Sequence, residues 1–464
     1  MPDTYDPARF KALRYVEAGA AFASGTDSPR ACLERCLETI ERREPVVQAF
    51  VALNVEGARA AADAADARWR AGRPLSPIDG MPVGIKDLYM TRDMPTRMGS
   101  PLFENNFPRQ DSACVQALRD AGAVILGKTV TTELGMSDPG PTTNPFDPAR
   151  TPGGSSSGSA AAVGAGMVPA ALGSQVVGSV IRPAGFCANH AIKPTFGALH
   201  RGERQGLSHS HLGVHAGSLA DMWAVCHAIA QGTGGDPGQI GLVGPAAPPA
   251  PLRPDRLVVI EAEGWAQTDA PTRAAFEGLV DRLRAAGVEI VGRADTPLVE
   301  GLEQAIADSL LMCRDICAFE MRWSLRNLIE QHGGGLSDSL MSRYELAQRL
   351  TLDDYRALLH RREAGRMALR AAAPAGSAML CLSSTGPAPL MGNADTDHGV
   401  SHTTGLPAFN AWTSVLGAPA ITLPLLAVEG MPVGVQLVGQ WHEDHRLTGH
   451  AAWVERTILS GVAQ

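Results

Sequence analysis

The sequence contains a long uncharged stretch, from Gly158 to Ile181, which could be either a transmembrane segment or part of a protein core. It is long enough to cross a bilayer, but it consists mostly of Gly, Ala and Ser and contains Pro169. Such residues offer too little apolar surface to hold a helix in lipid. The stretch is therefore predicted to lie inside a globular protein, and no membrane association is expected.

Strand and helix patterns alternate along the rest of the chain. Amphipathic segments near 55–70, 112–121 and 270–285 predict helices, and residues from about 297 to 373 show an almost continuous helical pattern. Short apolar runs predict strands at Val51–Leu53, Val83–Ile85, Ala123–Leu126, Leu257–Ile260, Val288–Val291, Leu380–Leu382, Ala420–Leu423 and Val433–Val438. This alternation predicts an α/β fold, an α/β/α sandwich around a large mixed β-sheet.

Charge and cysteine content exclude further classes of protein. The 464 residues carry 40 Lys+Arg against 48 Asp+Glu, a formal net charge of -8 without a basic cluster, which argues against nucleic-acid binding. The eight cysteines lack the regular spacing that is typical of disulfide-bonded proteins, and the first residues lack a signal-peptide pattern. We therefore expect a reduced, cytoplasmic protein. Cys32 and Cys36 lie on the apolar face of a helix that Ser28 caps, and are assigned to the core.

The segment Gly122–Thr129 matches the phosphate-loop pattern, but its context contradicts nucleotide binding. The residues between Gly122 and Gly127 are Ala, Val, Ile and Leu, which favour a strand, and a helix precedes them. An extended apolar segment cannot direct successive N–H groups at a phosphate. No nucleotide and no other cofactor is expected.

Lysine occurs at four positions, and Lys86, Lys128 and Lys193 lie in the part of the chain that is densest in Gly and Ser. A buried lysine can lose its proton, whereas arginine cannot. The run Pro152–Ser159 predicts a tight turn that opens onto a helix, although a flexible Gly/Ser loop is the alternative. The pair Gly178-Ser179 follows beyond an Ala-rich helix. Chemistry is therefore expected in this region.

The blocks Gly84-Ile-Lys86-Asp87, Gly153-Gly-Ser-Ser156 and Gly178-Ser-x-x-Arg182 resemble the amidase signature family. Further blocks appear in the family's order, among them Lys193-Pro-Thr-Phe-Gly197 and the C-terminal Gly430–Gln436. The resemblance covers most of the chain and is weakest from about 240 to 390. It implies one amidase domain over residues 1–464, with a helical substrate-pocket region at about 297–390. The proline-rich segment Pro245–Pro254 leaves a two-domain division open.

The resemblance implies a Ser–Ser–Lys triad, with Lys86 as base, Ser155 as bridging hydroxyl in a cis peptide, and Ser179 as nucleophile. Amide cleavage needs one relay that takes a proton from the nucleophile and gives it to the leaving nitrogen, and a buried lysine suits that task. The backbone N–H groups of Val176, Val177, Gly178 and Ser179 are the implied oxyanion hole. Val177 departs from the family pattern, which commonly has glycine there.

Arg182 follows the nucleophile by three residues, an arrangement similar to the malonamidase branch of the family. There the Arg meets a substrate carboxylate, and the alternative is an Arg that pairs with a structural acid. His209, His211 and His215 lack neighbouring Cys or carboxylate groups that would complete a metal site, so no metal is expected. We interpret these histidines as pocket lining or surface.

The expected function is hydrolysis of a small-molecule amide to a carboxylic acid and ammonia or amine through a Ser acyl-enzyme. Ester or carbamate cleavage by the same triad is a close variant. The alternatives are the glutaminase (A-type) subunit of a tRNA-dependent amidotransferase, which needs a partner chain, and a binding homologue with impaired catalysis. The expected partner is the small-molecule substrate, and a homodimer is left open.

Overall fold

The computed structural model describes residues 4–136, 138–202, 206–392, 395–397 and 400–460. Its α-helices are α1 (Gly19–Ser24), α2 (Pro29–Val47), α3 (Val55–Arg70), α4 (Ala113–Asp120), α5 (Ser157–Gly164), α6 (Ile181–Phe186), α7 (Leu219–Thr233), α8 (Ala270–Ala285), α9 (Pro297–Ile306), α10 (Ser309–His332), α11 (Asp338–Arg349), α12 (Leu352–Ala372), α13 (Ala411–Leu416) and α14 (Asp444–Ser460). Its strands are β1 (Phe50–Leu53), β2 (Pro82–Lys86), β3 (Val124–Thr129), β4 (Ala170–Gln175), β5 (His190–Lys193), β6 (His211–Ala216), β7 (Arg256–Val259), β8 (Glu289–Val291), β9 (Ser377–Leu382), β10 (Asp395–Asp397), β11 (Val400–His402), β12 (Ala420–Val428) and β13 (Met431–Val438).

An 11-stranded mixed sheet runs through the fold in the order β1-β3-β2-β4-β6-β5-β12-β13-β9-β7-β8. Strand β2 pairs in parallel with both β3 and β4, and β7 pairs in parallel with β8 and β9. The pairs from β4 through β6, β5, β12, β13 and β9 are antiparallel. Helices flank this sheet, so the predicted α/β class around a mixed sheet is confirmed.

The uncharged stretch is buried as predicted, but it is not one long helix. Helix α5 ends at Gly164, and Gly166 adopts a φ of 69°, a left-handed conformation that a helix does not continue through. After Pro169 the chain forms β4, which is buried at every residue between β2 and β6. The pair Gly178-Ser179 lies beyond the Ala-rich helix, and strand β4 stands between the two. Burial between two strands overrides the weak strand propensity of Ala and Gly.

Helix α5 packs against the sheet at unusually short range. The backbone N–H of Gly158 donates to the carbonyl of Val130 at 3.0 Å. A Cβ at Gly158 would lie 2.2 Å from the Ala49 carbonyl oxygen and 2.4 Å from the Val130 nitrogen. The Ser159 hydroxyl donates to the Leu172 carbonyl of β4 at 2.7 Å. The absence of a side chain at Gly158 therefore sets how closely the start of α5 approaches the sheet.

Other predicted elements form with small shifts at their ends. Ser28 accepts a hydrogen bond from Ala31 N and caps α2, in which Cys32 and Cys36 are buried, as predicted. The helical region resolves into α9, α10, α11 and α12. Within the described ranges, no helix combines the length and the apolar composition that crossing a membrane requires.

Replacement of Gly158 by Ala should lower the free energy of unfolding by about 1–3 kcal/mol, because the added methyl group overlaps rigid backbone atoms. Gly278→Ala is the matched control: Gly278 is exposed on α8, and no atom lies within 4 Å of its added Cβ. That variant should gain up to about 1 kcal/mol from helix propensity. Urea denaturation of both variants measures the difference, and equal stability would contradict the close approach of α5.

Candidate active site

The ends of two parallel strands bring the predicted motifs together. Strand β2 ends at Lys86 and β4 ends at Gln175, and the two strands pair with Ile85 opposite Leu172. Because parallel neighbours end at the same edge of a sheet, Lys86 and the residues that follow β4 lie close together. The Gly/Ser turn before α5 reaches the same edge.

The amine of Lys86 is fully buried and surrounded by hydroxyl groups. Its Nζ lies 2.7 Å from Ser155 Oγ, 2.9 Å from Ser174 Oγ and 3.0 Å from Ser156 Oγ. Burial lowers the pKa of Lys86 well below its usual value of 10.5, because the charged form loses its hydration. The surroundings therefore favour a neutral amine that contacts three hydroxyls.

The Gly154–Ser155 peptide bond is cis, as the family resemblance implies. Ser156 fixes the adjoining turn, since its hydroxyl donates to the Ser174 carbonyl and accepts from the Ser174 N–H, both at 3.2 Å. Sequence reasoning identified neither Ser156 nor Ser174 as a contact of Lys86. The third serine of Gly-Gly-Ser-Ser-Ser, Ser157, turns its hydroxyl instead toward the Val130 carbonyl.

Residues 176–179 form a turn between β4 and α6, and hydrogen bonds from the side chains of Gln175 and Ser414 fix the conformation of this turn. The side-chain oxygen of Gln175 accepts from the N–H groups of Val180 and Ile181 at 2.9 and 3.0 Å. Its amide nitrogen donates to Ser414 Oγ at 2.9 Å, and Ser414 Oγ donates to the Val177 carbonyl at 2.8 Å.

These contacts orient the N–H groups of the turn. In a trans peptide the carbonyl and the following N–H point in opposite directions, so the Gly178 N–H points away from Ser414. The Gly178 carbonyl accepts from Arg182 N at 3.0 Å, which turns the Ser179 N–H away from α6 in the same manner. Neither Gln175 nor Ser414 was predicted as a site residue.

A cavity of about 190 Å³ connects the predicted residues. Ser155, Ser179 and the 176–178 turn line one part of it. Helices α10 and α11 contribute Leu310, Cys313, Arg314 and Arg343, and the segment before α13 contributes His402, Thr404 and Pro407. Ser179 is half-buried, so its hydroxyl is accessible from this cavity.

Comparison with known proteins identifies the family. A family model described as Amidase matches residues 31–448. The chain belongs to the amidase family.

Two solved structures and one curated relative show how far the likeness extends. An amidase crystal structure superimposes with a TM-score of 0.82 at 29% identity, covering 96% of this chain and 99% of that chain. The peptide amidase from Stenotrophomonas maltophilia has a TM-score of 0.74 at 25% identity, covering 97% and 98%. The A-type subunit of the glutamyl-tRNA(Gln) amidotransferase of Chloroflexus aurantiacus is 40% identical over 233 residues, 48% of this chain and 47% of the relative. The chain thus spans about half the length of the curated relatives it matches.

Arg182 has a role that was not predicted from the sequence. Its Nη2 donates to the Gly154 carbonyl at 2.7 Å and to Thr404 Oγ1 at 3.0 Å. The guanidinium thereby holds the peptide unit that leads into Ser155, and it also lines the cavity. Replacing Arg182 is therefore expected to disturb the site for every substrate, in addition to any effect on a substrate carboxylate.

The phosphate-loop match lies on a strand, as predicted: β3 covers Val124–Thr129 and α4 precedes it. Lys128 pairs with Asp87 at 2.8 Å, and both side chains are fully buried. Lys128 also donates to Thr96 Oγ1 at 2.7 Å, and Asp87 accepts from the Arg97 N–H at 3.0 Å. This buried ion pair anchors the chain that follows Lys86. Lys128 therefore has a structural role.

The surface interpretation of His209, His211 and His215 is wrong, because all three are fully buried. Burial lowers the pKa of His209 and of His215 to about 3, so both are neutral. A Cβ at Gly173 would lie 2.9 Å from both His215 Nε2 and Ser156 Oγ, which places His215 behind the hydroxyl cluster. In the part of the chain that the structure describes, His, Cys, Asp and Glu form no group of three that could hold a metal ion.

Replacement of Lys86 by Met should change how stability depends on pH. Burial lowers the folded-state pKa while the unfolded chain keeps 10.5, so between those values the folded state binds fewer protons than the unfolded state. The free energy of unfolding of the wild type should therefore rise relative to Lys86→Met as the pH increases from neutral to about 10.5. The relative slope is at most about 1.4 kcal/mol per pH unit.

Chemical denaturation of both proteins across this pH range measures the slope, with Lys11→Met, which removes an exposed lysine, as the control. Parallel profiles for wild type and Lys86→Met would show that the amine is not perturbed by burial.

Proposed function

We propose that this chain is an amidohydrolase that cleaves a small, linear, non-peptide amide through an acyl-enzyme on Ser179. The single observation that carries the proposal is the buried amine of Lys86 at 2.7 Å from Ser155 Oγ, in a site whose cavity also exposes Ser179. A neutral amine beside a chain of hydroxyls is the arrangement that general-base activation of a serine requires. All eight cysteines are free, which suits the reduced cytoplasm.

The proposed relay moves one proton in each direction. Ser179 Oγ attacks the amide carbon as its proton passes to Ser155 Oγ, whose own proton passes to Lys86 Nζ. The tetrahedral intermediate then collapses: the C–N bond breaks, and the relay returns a proton to the departing nitrogen. Water repeats the sequence in the place of Ser179, which releases the carboxylic acid and restores the serine.

The oxyanion that forms on the amide oxygen needs donors that are already in place. We assign that role to the N–H groups of residues 176–179, whose turn is held by Gln175 and Ser414. Loss of one such donor in an enzyme commonly costs about 3–4 kcal/mol of transition-state stabilisation. Neither Val176 nor Val177 adopts a positive φ, so the backbone of this turn accommodates valine at 177, where the family commonly has glycine.

The arginines in the lining of the cavity support an acid-bearing amide as the substrate, and each of these arginines also has a partner within the protein. Arg182, Arg314 and Arg343 line it, whereas Asp138 is the one carboxylate among its described lining residues. Burial and the nearby Arg182 lower the pKa of His402 to about 4, so His402 adds no charge at neutral pH. A substrate carboxylate at Arg182 would accept charge-assisted hydrogen bonds beside the contacts that this guanidinium makes to Gly154 and Thr404.

Lys86→Ala and Ser179→Ala should abolish amide turnover, and Ser155→Ala should lower kcat by about 10²–10⁴-fold, since each variant interrupts the relay. Ser157→Ala is the matched control from the same Gly/Ser run and should keep most of the activity, because its hydroxyl bonds to Val130. A serine-directed phosphonate should label Ser179, which peptide mass spectrometry can detect. Retention of more than about a tenth of the rate by Lys86→Ala would exclude this relay.

The carboxylate preference is tested on a matched pair of amides, with and without a terminal carboxylate. Arg182→Ala should slow both, since the Gly154 carbonyl loses its partner, but the acid-bearing amide should lose about 10–100-fold more. Thr404→Val is the control, because it removes a contact of Arg182 and leaves the charge. That variant should affect both amides equally. Equal losses with Arg182→Ala would rule out carboxylate recognition by this residue.

A second candidate function is that of a glutaminase component in a tRNA-dependent amidotransferase. The observation that favours it is the 40% identity over 233 residues to the A-type subunit of a glutamyl-tRNA(Gln) amidotransferase. This function requires partner chains and glutamine as the ammonia source. Affinity purification from the native organism distinguishes the two: stable copurifying chains with glutaminase activity support the second, and turnover of small amides by the isolated chain supports the first.

A further inference from the structure

A cavity of about 350 Å³ lies against the second half of α12. Helix α12 contributes Arg362, Glu363, Arg366 and Arg370 to its lining, and the segment that follows β13 contributes residues 441 and 442. No described residue lines both this cavity and the one that contains Ser179. We call it the arginine cavity, and nothing in the proposed relay uses it.

The arginines of this cavity stand at every fourth position of α12. Side chains four residues apart lie on the same face of a helix, so the guanidinium groups of Arg362, Arg366 and Arg370 are neighbours. Burial lowers the pKa of Arg366 below its usual value, and the positive charge of Arg362 lowers it further. Bringing these three cations together therefore costs free energy that other contacts must offset.

The first two arginines contact mainly neutral groups. Arg362 Nη1 donates to Ser208 Oγ at 2.8 Å, and its buried Nε has no hydrogen-bond partner among the described residues. Arg366 Nε donates to the Leu416 carbonyl at 2.9 Å, and its Nη1 donates to Glu363 Oε1 at 2.6 Å. The same carboxylate oxygen lies 3.9 Å from Arg362 Nε. One exposed carboxylate is thus shared between two guanidinium groups.

The third arginine, Arg370, is exposed, and its guanidinium lies over the ring of Trp441 at 5.0 Å from the ring centre. Within the described ranges, no carboxylate forms an ion pair with Arg370. The described lining therefore carries three positive charges against the single negative charge of Glu363, an excess of two, in a protein whose formal net charge is -8. A concave surface with such an excess attracts anions.

Hydrogen bonds hold the opposite wall of the arginine cavity in place. Trp441 Nε1 donates to the Leu416 carbonyl at 3.1 Å, the same oxygen that accepts from Arg366. The backbone N–H of His442 donates to Thr195 Oγ1 at 2.8 Å. These bonds fix the segment after β13 against α12. A ligand would therefore meet a wall that is already ordered, which lowers the entropy lost on binding.

We propose that the arginine cavity binds a phosphate group, either as the free ion or as part of a small phosphorylated molecule. A phosphate group carries about −1.5 to −2 charges at neutral pH, which matches the excess of positive charge. Its oxygens accept paired hydrogen bonds from guanidinium groups, so one phosphate can bridge neighbouring arginines of α12. A carboxylate has one charge and two oxygens, and would leave part of the excess uncompensated. The proposal is independent of the hydrolytic function.

Isothermal titration calorimetry of the full chain tests the proposal with inorganic phosphate, glycerol 3-phosphate and acetate, at an ionic strength held constant with sodium chloride. Both phosphates should bind, and each should bind at least about 10-fold more tightly than acetate, because only they offer enough charge and oxygens for more than one arginine. Tighter binding of glycerol 3-phosphate would identify a phosphorylated molecule as the ligand, and tighter binding of inorganic phosphate would identify the free ion.

Variants of α12 locate the bound phosphate. Arg362→Gln and Arg370→Gln should each weaken phosphate binding about 10–100-fold, the loss expected when a charged hydrogen-bonded contact is removed. Arg356→Gln is the matched control, because Arg356 is exposed on the same helix, pairs with Asp353 and lies outside the described lining. That variant removes the same charge and should keep the wild-type affinity.

A variant with the opposite expected effect completes the test. Glu363→Gln should tighten phosphate binding several-fold, because it removes the one negative charge of the described lining and releases Arg366 Nη1 for the ligand. Since Arg370 is exposed and contacts only the Trp441 ring among the described groups, Arg370→Gln keeps the test valid even where Arg362→Gln does not fold.

Three results would overturn the proposal. The first is the absence of phosphate binding to the wild type. The second is an affinity that Arg370→Gln and Glu363→Gln leave unchanged, since the phosphate would then bind elsewhere, for instance beside the arginines of the Ser179 cavity. The third is an equal loss of affinity in Arg356→Gln and Arg370→Gln, which would show attraction to the overall charge of α12 instead of a site.

Discussion

The site depends on one amine held without water at the end of a central strand. Lys86 Nζ has three serine hydroxyls around it and strand backbone behind it, so its charged form loses hydration without gaining a carboxylate contact. Exclusion of water from the Lys86 amine requires close packing on every side. Strand β4 must pair with β2, and α5 must approach the sheet through Gly158. His215 must be neutral behind Ser156. The nearby amine of Lys128 is also buried, but unlike that of Lys86 it contacts a carboxylate, that of Asp87.

Much of the fold could be predicted where the hydrophobic pattern is strong. The unit β7–α8–β8 and the helices α9–α12 form close to the expected positions, because β-branched runs and 3.6-residue periodicity indicate them directly. Strands β4, β5 and β6 were missed. Their sequences are rich in Ala, Gly and His, which have little strand preference, and they are strands because neighbours on both sides bury them.

The site shows the same division between local and long-range information. Lys86, Ser155 and Ser179 were predicted from motifs that are local in sequence, and the structure brings Lys86 and Ser155 into contact and opens Ser179 to the same cavity. Gln175 lies three residues before the Gly178-Ser179 pair, but its bond to Ser414 spans 239 positions and has no local signal. Thr404, which Arg182 contacts across 222 positions, is equally invisible in the sequence.

The link between Gln175, Ser414 and the Val177 carbonyl has a consequence for the order in which this site is completed. Lys86, Ser155 and Ser179 all precede residue 180, yet the turn around Ser179 takes its shape from α13, more than two hundred residues later. During synthesis the emerging chain therefore holds every reactive side chain well before it holds the scaffold that aims the backbone donors. The site can therefore become active only late in synthesis, when strands β12 and β13 have joined β5 to β9 in the sheet and α13 has docked.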